Sequence, residues 1–126
     1  DTWENSPVRD DIVLPGRVSF EDLRLLYQGA RFFAFPSLYE GFGLPILEAF
    51  ASGIPVLTAD NSSLTEVAGD GAFYCRAGDV TDIREKLECL WRDDALRTDL
   101  IAKGTKRLEH FSWDACARET LDYILE

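Results

Sequence analysis

The 126-residue sequence contains no methionine, a single histidine, and no lysine or arginine between Arg31 and Arg76. No lysine occurs before Lys86. An anion bound by residues 32–75 must therefore be held by backbone N–H groups or by cations brought from elsewhere. The net charge of −10 argues against a nucleic-acid partner, whose phosphates demand a basic face. No apolar run approaches the roughly 20 residues that cross a bilayer. The first residues also lack the basic, apolar and small-residue succession of a secretory signal. Cysteine is scarce too. Cys75, Cys89 and Cys116 are odd in number and lack metal-ligand or CxxC spacing. They are expected to be small buried hydrophobes in a reducing compartment, and a cytoplasmic location is the matching expectation.

What is present is the material of one folded domain. The apolar fraction is 46% with 12% aromatics, and the length suffices to bury a core. Residues 1–10 are polar and without period, and read as an irregular N-terminal segment ahead of a domain spanning 11–126. "IVLPGRV" (Ile12 to Val18) is a short apolar run closed by Pro15 and Gly16, suiting a buried strand and a turn. Ser19 can cap a helix that places Leu23, Leu26 and Tyr27 on one face. "RFFAFPS", "IPVLTAD" and "AFYC" are further strand candidates, and "NSSLTEVAGDG" reads as a short helix stopped by glycine. From Asp79 onward the pattern is helical alone. One helix carries Val80, Ile83, Leu87, Leu90 and Trp91, and a second runs from about Asp94 to Phe111. A last helix follows Ser112 with Trp113, Cys116, Ala117, Leu121 and Ile124 on one stripe. His110, in the loop before it, reads as a surface or capping residue. The fold class is α/β: a Rossmann-like parallel sheet with helices on both faces, and a C-terminal helical tail packed across it.

The chemistry concentrates in "LYEGFGLPILEAFASG", Leu38 to Gly53. Ile46, Leu47, Ala49, Phe50 and Ala51 make its helix apolar nearly all round, which predicts burial. Pro45 suits the first turn and Gly53 the stop. Glu48 interrupts this apolar surface. A buried carboxylate must be paired, so either a distant arginine satisfies it or it faces a crevice and accepts hydrogen bonds from ligand hydroxyls. Ahead of it, "EGFG" joins a strand to a helix N-terminus. Glycines there allow close approach to the main chain, and unsatisfied N–H groups at the positive dipole end favour phosphate. Ligands of parallel sheets bind at the carboxyl ends of strands, where this loop must lie. Glu48 stands four positions beyond Leu44, roughly 6 Å along the axis at about 1.5 Å per residue. That offset suits a phosphate at the helix end and a ribose beside it, with Glu40 meeting whatever the phosphate carries. A diol on each side of a diphosphate describes a nucleotide sugar. The dinucleotide fingerprint does not apply, because Ile46 stands where its third glycine belongs. The phosphate loop GxxxxGK[ST] is absent as well.

Two glutamates with seven residues between them, Glu40 and Glu48, within "PSLYEGFGLPILEAFASGIPV", resemble the hallmark of the retaining glycosyltransferases of family 4, which have the two-domain GT-B arrangement. The resemblance extends through "DIVLPGRVSFEDLRLLYQGARFFAFPS", "SSLTEVAGDGAFY" and the late "HFSW". It implies that Glu40 contacts and orients the transferred sugar. Gly41, Phe42, Gly43 and Leu44 would bind sugar and distal phosphate through the main chain, and Glu48 the ribose hydroxyls. The Gly16-Arg17-Val18 turn would lie near the nucleobase, although Arg17 reads equally well as a surface residue. The implied donor is a nucleotide sugar such as GDP-mannose or a UDP-hexose, with no cofactor and no metal. The family's acceptor-binding N-terminal domain and its basic pair for the diphosphate have no counterpart in this chain. The expectation is therefore an incomplete donor-binding domain that does not catalyse transfer alone. Peripheral membrane contact, where it occurs, is assigned to the half that is absent. Two other readings stay open: a nucleotide-sugar-binding module that is inactive or works with a separate subunit, and a GT-B sugar-nucleotide epimerase. The glutamate pair with EGFG favours a transferase over an epimerase.

Overall fold

The computed structural model describes residues 3–125. Three parallel strands form its sheet: β1 (Phe33–Phe35), β2 (Val56–Ala59) and β3 (Ala72–Cys75), in the order β1-β2-β3. The register pairs Phe33 with Val56 and Phe35 with Thr58, then Val56 with Ala72 and Ala59 with Cys75. Crossover helices connect them, as parallel pairing requires. α1 (Phe20–Gly29) leads into β1, α2 (Leu44–Ala51) joins β1 to β2, and α3 (Ser62–Ala68) joins β2 to β3. α4 (Val80–Arg92), α5 (Asp94–Leu108) and α6 (Trp113–Leu125) follow.

Strand alternation divides the core in two. Val56 and Ala72 pack with Ile46, Ala49, Phe50, Leu64 and Ala68 of α2 and α3, against Tyr27 and Phe33. Leu57 and Cys75 face the other way, onto Leu90 of α4 and Leu100 of α5. Thr58, fully buried in β2, donates its hydroxyl to the Phe35 carbonyl at 3.0 Å, so its polar atom is paired. The expected α/β class, with helices on both faces, holds.

Helix ends follow their local chemistry. Ser19 Oγ accepts the Asp22 N–H at 3.1 Å, Asp79 Oδ1 accepts that of Asp82 at 3.0 Å, and Asp93 Oδ1 that of Leu96 at 2.8 Å. Arg107 of α5 reaches across to α3, donating to the carbonyls of Val67 (3.0 Å) and Glu66 (2.5 Å). The last carbonyls of that short helix are thus satisfied from another element.

Four expectations need correction. Ile12 to Val18 forms no strand: apart from the Ile12 N–H, bonded to Arg9 within a short 3-10 helix, its backbone makes no hydrogen bond among the described residues. Val13 is 80% exposed. An apolar run becomes a strand only when another edge pairs with it, and Pro15 removes one donor besides. Of the three cysteines only Cys75 is buried, because Cys89 and Cys116 fall on outward positions of α4 and α6. α4 and α5 do pack on the sheet, but α6 does not. No residue of α6 is buried, and its Trp113, Leu121 and Ile124 stripe meets solvent. Finally, α2 is buried on one face only. Ile46, Ala49 and Phe50 point inward, while Leu44 and Glu48 are exposed. No helix among the described residues is long and apolar enough to cross a membrane.

Candidate functional site

Because β1 and β2 are parallel, the loops leaving their carboxyl ends lie on the same side of the sheet. The loop after β1 runs from Pro36 to Gly43 and enters α2, and the loop after β2 enters α3 through Asn61. Gly43 caps α2 with a left-handed φ of 102°. A Cβ there would stand 2.9 Å from Leu64 Cδ2, so both backbone and packing demand glycine. Gly41 has open space where a Cβ would be. Its glycine is not required by packing, and it leaves the main chain uncovered.

Among the described residues, the N–H groups of Gly41, Phe42, Gly43 and Leu44 donate to no protein acceptor. Pro45 follows directly and has no N–H. These donors gather at the positive end of α2, where an anion is favoured. Glu40 precedes them, half-buried, its Oε1 accepting the Ser37 hydroxyl at 2.9 Å. Glu48 follows them on the exposed side of α2. The structure thus brings Glu40, the Gly41–Leu44 amides and Glu48 onto one strand–loop–helix unit. It does not bring Gly16, Arg17 and Val18 to that unit by any hydrogen bond among the described residues. Gly16 is left-handed at φ 64°, Arg17 is exposed and Val18 half-buried.

Glu48 has a partner that is no cation. Its Oε2 accepts the Tyr27 hydroxyl at 3.2 Å, which ties α1 to α2. The Tyr27 ring is set edge-on to Phe33 at 5.3 Å, and Phe33 stacks on Phe35 at 5.8 Å. Burial, then the Glu48 charge and the hydrogen bond to it, push the tyrosine up to about 12. Below the ordinary value of 10.0 both folded and unfolded chains keep the proton. Above it the unfolded chain loses the proton first, so stability falls as pH climbs from 10.0 towards about 12. Tyr27→Phe is expected to flatten this alkaline decline, read as urea midpoints across that interval. Parallel curves for the two proteins would rule it out.

The loop is braced from the side by residues outside the glutamate motif. Asn61 Nδ2 donates to the carbonyls of Ser37 (3.4 Å) and Leu38 (3.1 Å). Ser62 and Ser63, opening α3, bond the main chain of Glu40, and Ser63 also reaches the Phe42 carbonyl at 3.1 Å. Sequence reasoning missed these residues and Tyr27. The signal for the serines was their place directly after a strand, at the same sheet end as the motif. A shallow cavity of about 330 Å³, lined by Phe32, Leu87 and Trp91, lies on α4 and contains no residue of this unit.

Residues 2–107 match the family described as Glycosyl transferases group 1, and the whole strand–loop–helix unit falls inside the match. The chain belongs to that family. This glycosyl transferases group 1 chain is 42% identical over 107 residues to O-antigen chain mannosyltransferase B of Escherichia coli, an alignment covering 85% of the chain and 28% of that protein. It is 40% identical over 107 residues to D-inositol 3-phosphate glycosyltransferase of a Nocardioides strain, covering 83% of the chain and 23% of that relative. Among solved structures, sucrose-phosphate synthase from Thermosynechococcus elongatus superposes with a TM-score of 0.81 at 25% identity. That superposition covers 91% of this chain and 30% of the synthase. The chain therefore spans less than a third of the length of these relatives.

Proposed function

We propose that this chain is the donor-binding part of a retaining hexosyltransferase of glycosyltransferase family 4. The intact protein moves a hexosyl group from a nucleotide diphosphate sugar to a glycan, lipid or other acceptor. The observation that carries the reading is the row of unengaged N–H groups from Gly41 to Leu44, between two carboxylates, in a stretch without lysine or arginine. Amides at a helix N-terminus suit phosphate oxygens. A carboxylate accepts strong hydrogen bonds from hydroxyls. Glu48, with one oxygen on Tyr27, keeps its other oxygen for a ribose hydroxyl, and Glu40 accepts from hydroxyls of the sugar. Gly16, Arg17 and Val18 are assigned to the nucleobase. Cations for the diphosphate, and the acceptor site, belong to other parts of the intact protein, so this chain alone does not catalyse transfer.

Relatives named as mannosyltransferases make GDP-mannose the first donor to test. Isothermal titration of the intact protein with GDP-mannose, UDP-glucose, UDP-galactose and UDP-N-acetylglucosamine is expected to select one of them. Glu48→Ala should weaken that binding by about 10- to 100-fold, corresponding to a lost charge-assisted bond of about 1.5–3 kcal/mol. Equal affinity in wild type and Glu48→Ala, or no binding by any of the four, would overturn the assignment.

A further inference from the structure

We infer that Ser62 and Ser63 are positioning residues that hold the Glu40 main chain in its working place, at the cost of a strained backbone. The inference rests on the proposed role of Glu40. Ser62 is the non-glycine residue with a left-handed backbone among the described residues, at φ 46°. It opens α3, directly after Asn61, where a serine could serve as an ordinary cap without that strain.

Its side chain is spent elsewhere. Ser62 Oγ accepts the Glu40 N–H at 3.3 Å and donates to the Glu40 carbonyl at 3.2 Å. Ser63 Oγ bonds the same carbonyl at 2.8 Å and lies 3.1 Å from the Phe42 carbonyl. Both polar groups of the Glu40 peptide are thus engaged by hydroxyls 22 and 23 positions away in the chain. Asn61 completes the brace on the carbonyls of Ser37 and Leu38. The bonds end at Phe42. Among the described residues, the amides from Gly41 to Leu44 donate to no protein acceptor.

The arrangement has a physical logic. A glycine-containing loop has wide freedom, and the entropy of ordering it would otherwise fall on ligand binding. Ordering it beforehand places the Glu40 carboxylate and the free amides together. A strained residue persists only where surrounding contacts over-determine it, and such residues gather at functional sites. Here the contacts that hold Ser62 in place are those that hold Glu40.

Strain and positioning can be separated by substitution. Ser62→Gly removes the hydroxyl and relieves the left-handed backbone together. A residue serving the fold alone would leave turnover unchanged as the strain is released. A positioning residue should instead give an equal or higher Tm with kcat lowered at least about tenfold. Ser63→Ala should lower kcat similarly, and Ser63→Thr, which restores the hydroxyl, should recover most of it. KM for the donor should move less than kcat, because the amides that bind phosphate are not themselves removed.

The measurement uses the intact protein with GDP-mannose, or the UDP-hexose selected by the titration, following release of nucleoside diphosphate, with Tm recorded for every variant. Glu40→Ala is run alongside. If it loses turnover while Ser62→Gly and Ser63→Ala keep wild-type kcat, the clamp is refuted and the role of Glu40 stands. If Glu40→Ala itself keeps wild-type turnover, the reading of the site fails and the clamp with it. Equal loss in Ser63→Thr and Ser63→Ala would also count against positioning through the hydroxyl.

Discussion

Gly104→Val is expected to lower stability by about 3 kcal/mol and to shift Tm downward by about 10 °C. Gly104 lies in the interior of α5, where glycine is a poor helix former, so alanine would gain about 1 kcal/mol on propensity alone. Space decides against it. A Cβ at Gly104 would stand 2.6 Å from Phe50 Cδ1 and 2.9 Å from Cε1. Phe50 is 3% exposed and cannot swing aside into solvent. Gly71 belongs to the same tight contact: a Cβ there would meet the Gly104 Cα at 2.9 Å and Phe50 Cζ at 3.0 Å. Gly71, Gly104 and Phe50 form one close contact by which α5 is seated on α2. Valine adds two methyl groups to that contact and a β-branch to the helix, so clash and propensity act together. Urea unfolding should show a lower midpoint with an unchanged slope. Phe50→Leu, in the same chain as Gly104→Val, should restore part of the loss, because neighbouring substitutions couple. A wild-type midpoint for Gly104→Val alone would show that the contact is softer than its geometry.

The strands that became β1, β2 and β3 were legible because each is a short apolar run that finds a parallel neighbour. Ile12 to Val18 has the same local character and no paired edge among the described residues, and that difference cannot be read from the run itself. The glutamates and glycines were legible as a unit because chain proximity alone holds Glu40 through Glu48 together. The orientation of Glu48 was not. An apolar helix predicts burial, but which stripe faces outward depends on the elements packed against it, β2, α3 and α5, and the Tyr27 that meets Glu48 comes from 21 positions away. The same applies to Ser62 and Ser63. Their hydroxyls look like helix-capping groups locally, and only the parallel pairing of β1 with β2 sets them beside Glu40. Contacts made within one strand–loop–helix unit are written in neighbouring residues, whereas contacts between units depend on packing.

On the proposed role of Glu40, Glu40→Ala in the intact protein is expected to reduce kcat by about 100- to 1000-fold, the loss typical of removing one preorganised electrostatic group from a reacting centre. The fold should scarcely notice. Among the described residues the Glu40 carboxylate has one side-chain hydrogen bond, from Ser37 Oγ at 2.9 Å, whereas the loop is held by bonds to its main chain that alanine retains. Binding of the nucleoside diphosphate alone should also persist, because the free amides and Glu48 remain. Glu48→Ala should behave in the opposite sense, losing affinity for that same product. The two carboxylates therefore separate by assay: one variant fails in turnover, the other in binding. Glu40→Gln distinguishes charge from shape. Glutamine can still accept a hydrogen bond from Ser37 and from a sugar hydroxyl, but offers no negative charge to a developing cationic centre. A positioning role alone predicts that Glu40→Gln retains most activity, and an electrostatic role predicts a loss close to that of Glu40→Ala. Because no lysine or arginine lies between Arg31 and Arg76 to neutralise it, the Glu40 charge acts without a local counter-ion from this stretch. The electrostatic outcome is accordingly the one expected. Wild-type kcat in Glu40→Ala would remove this carboxylate from the chemistry.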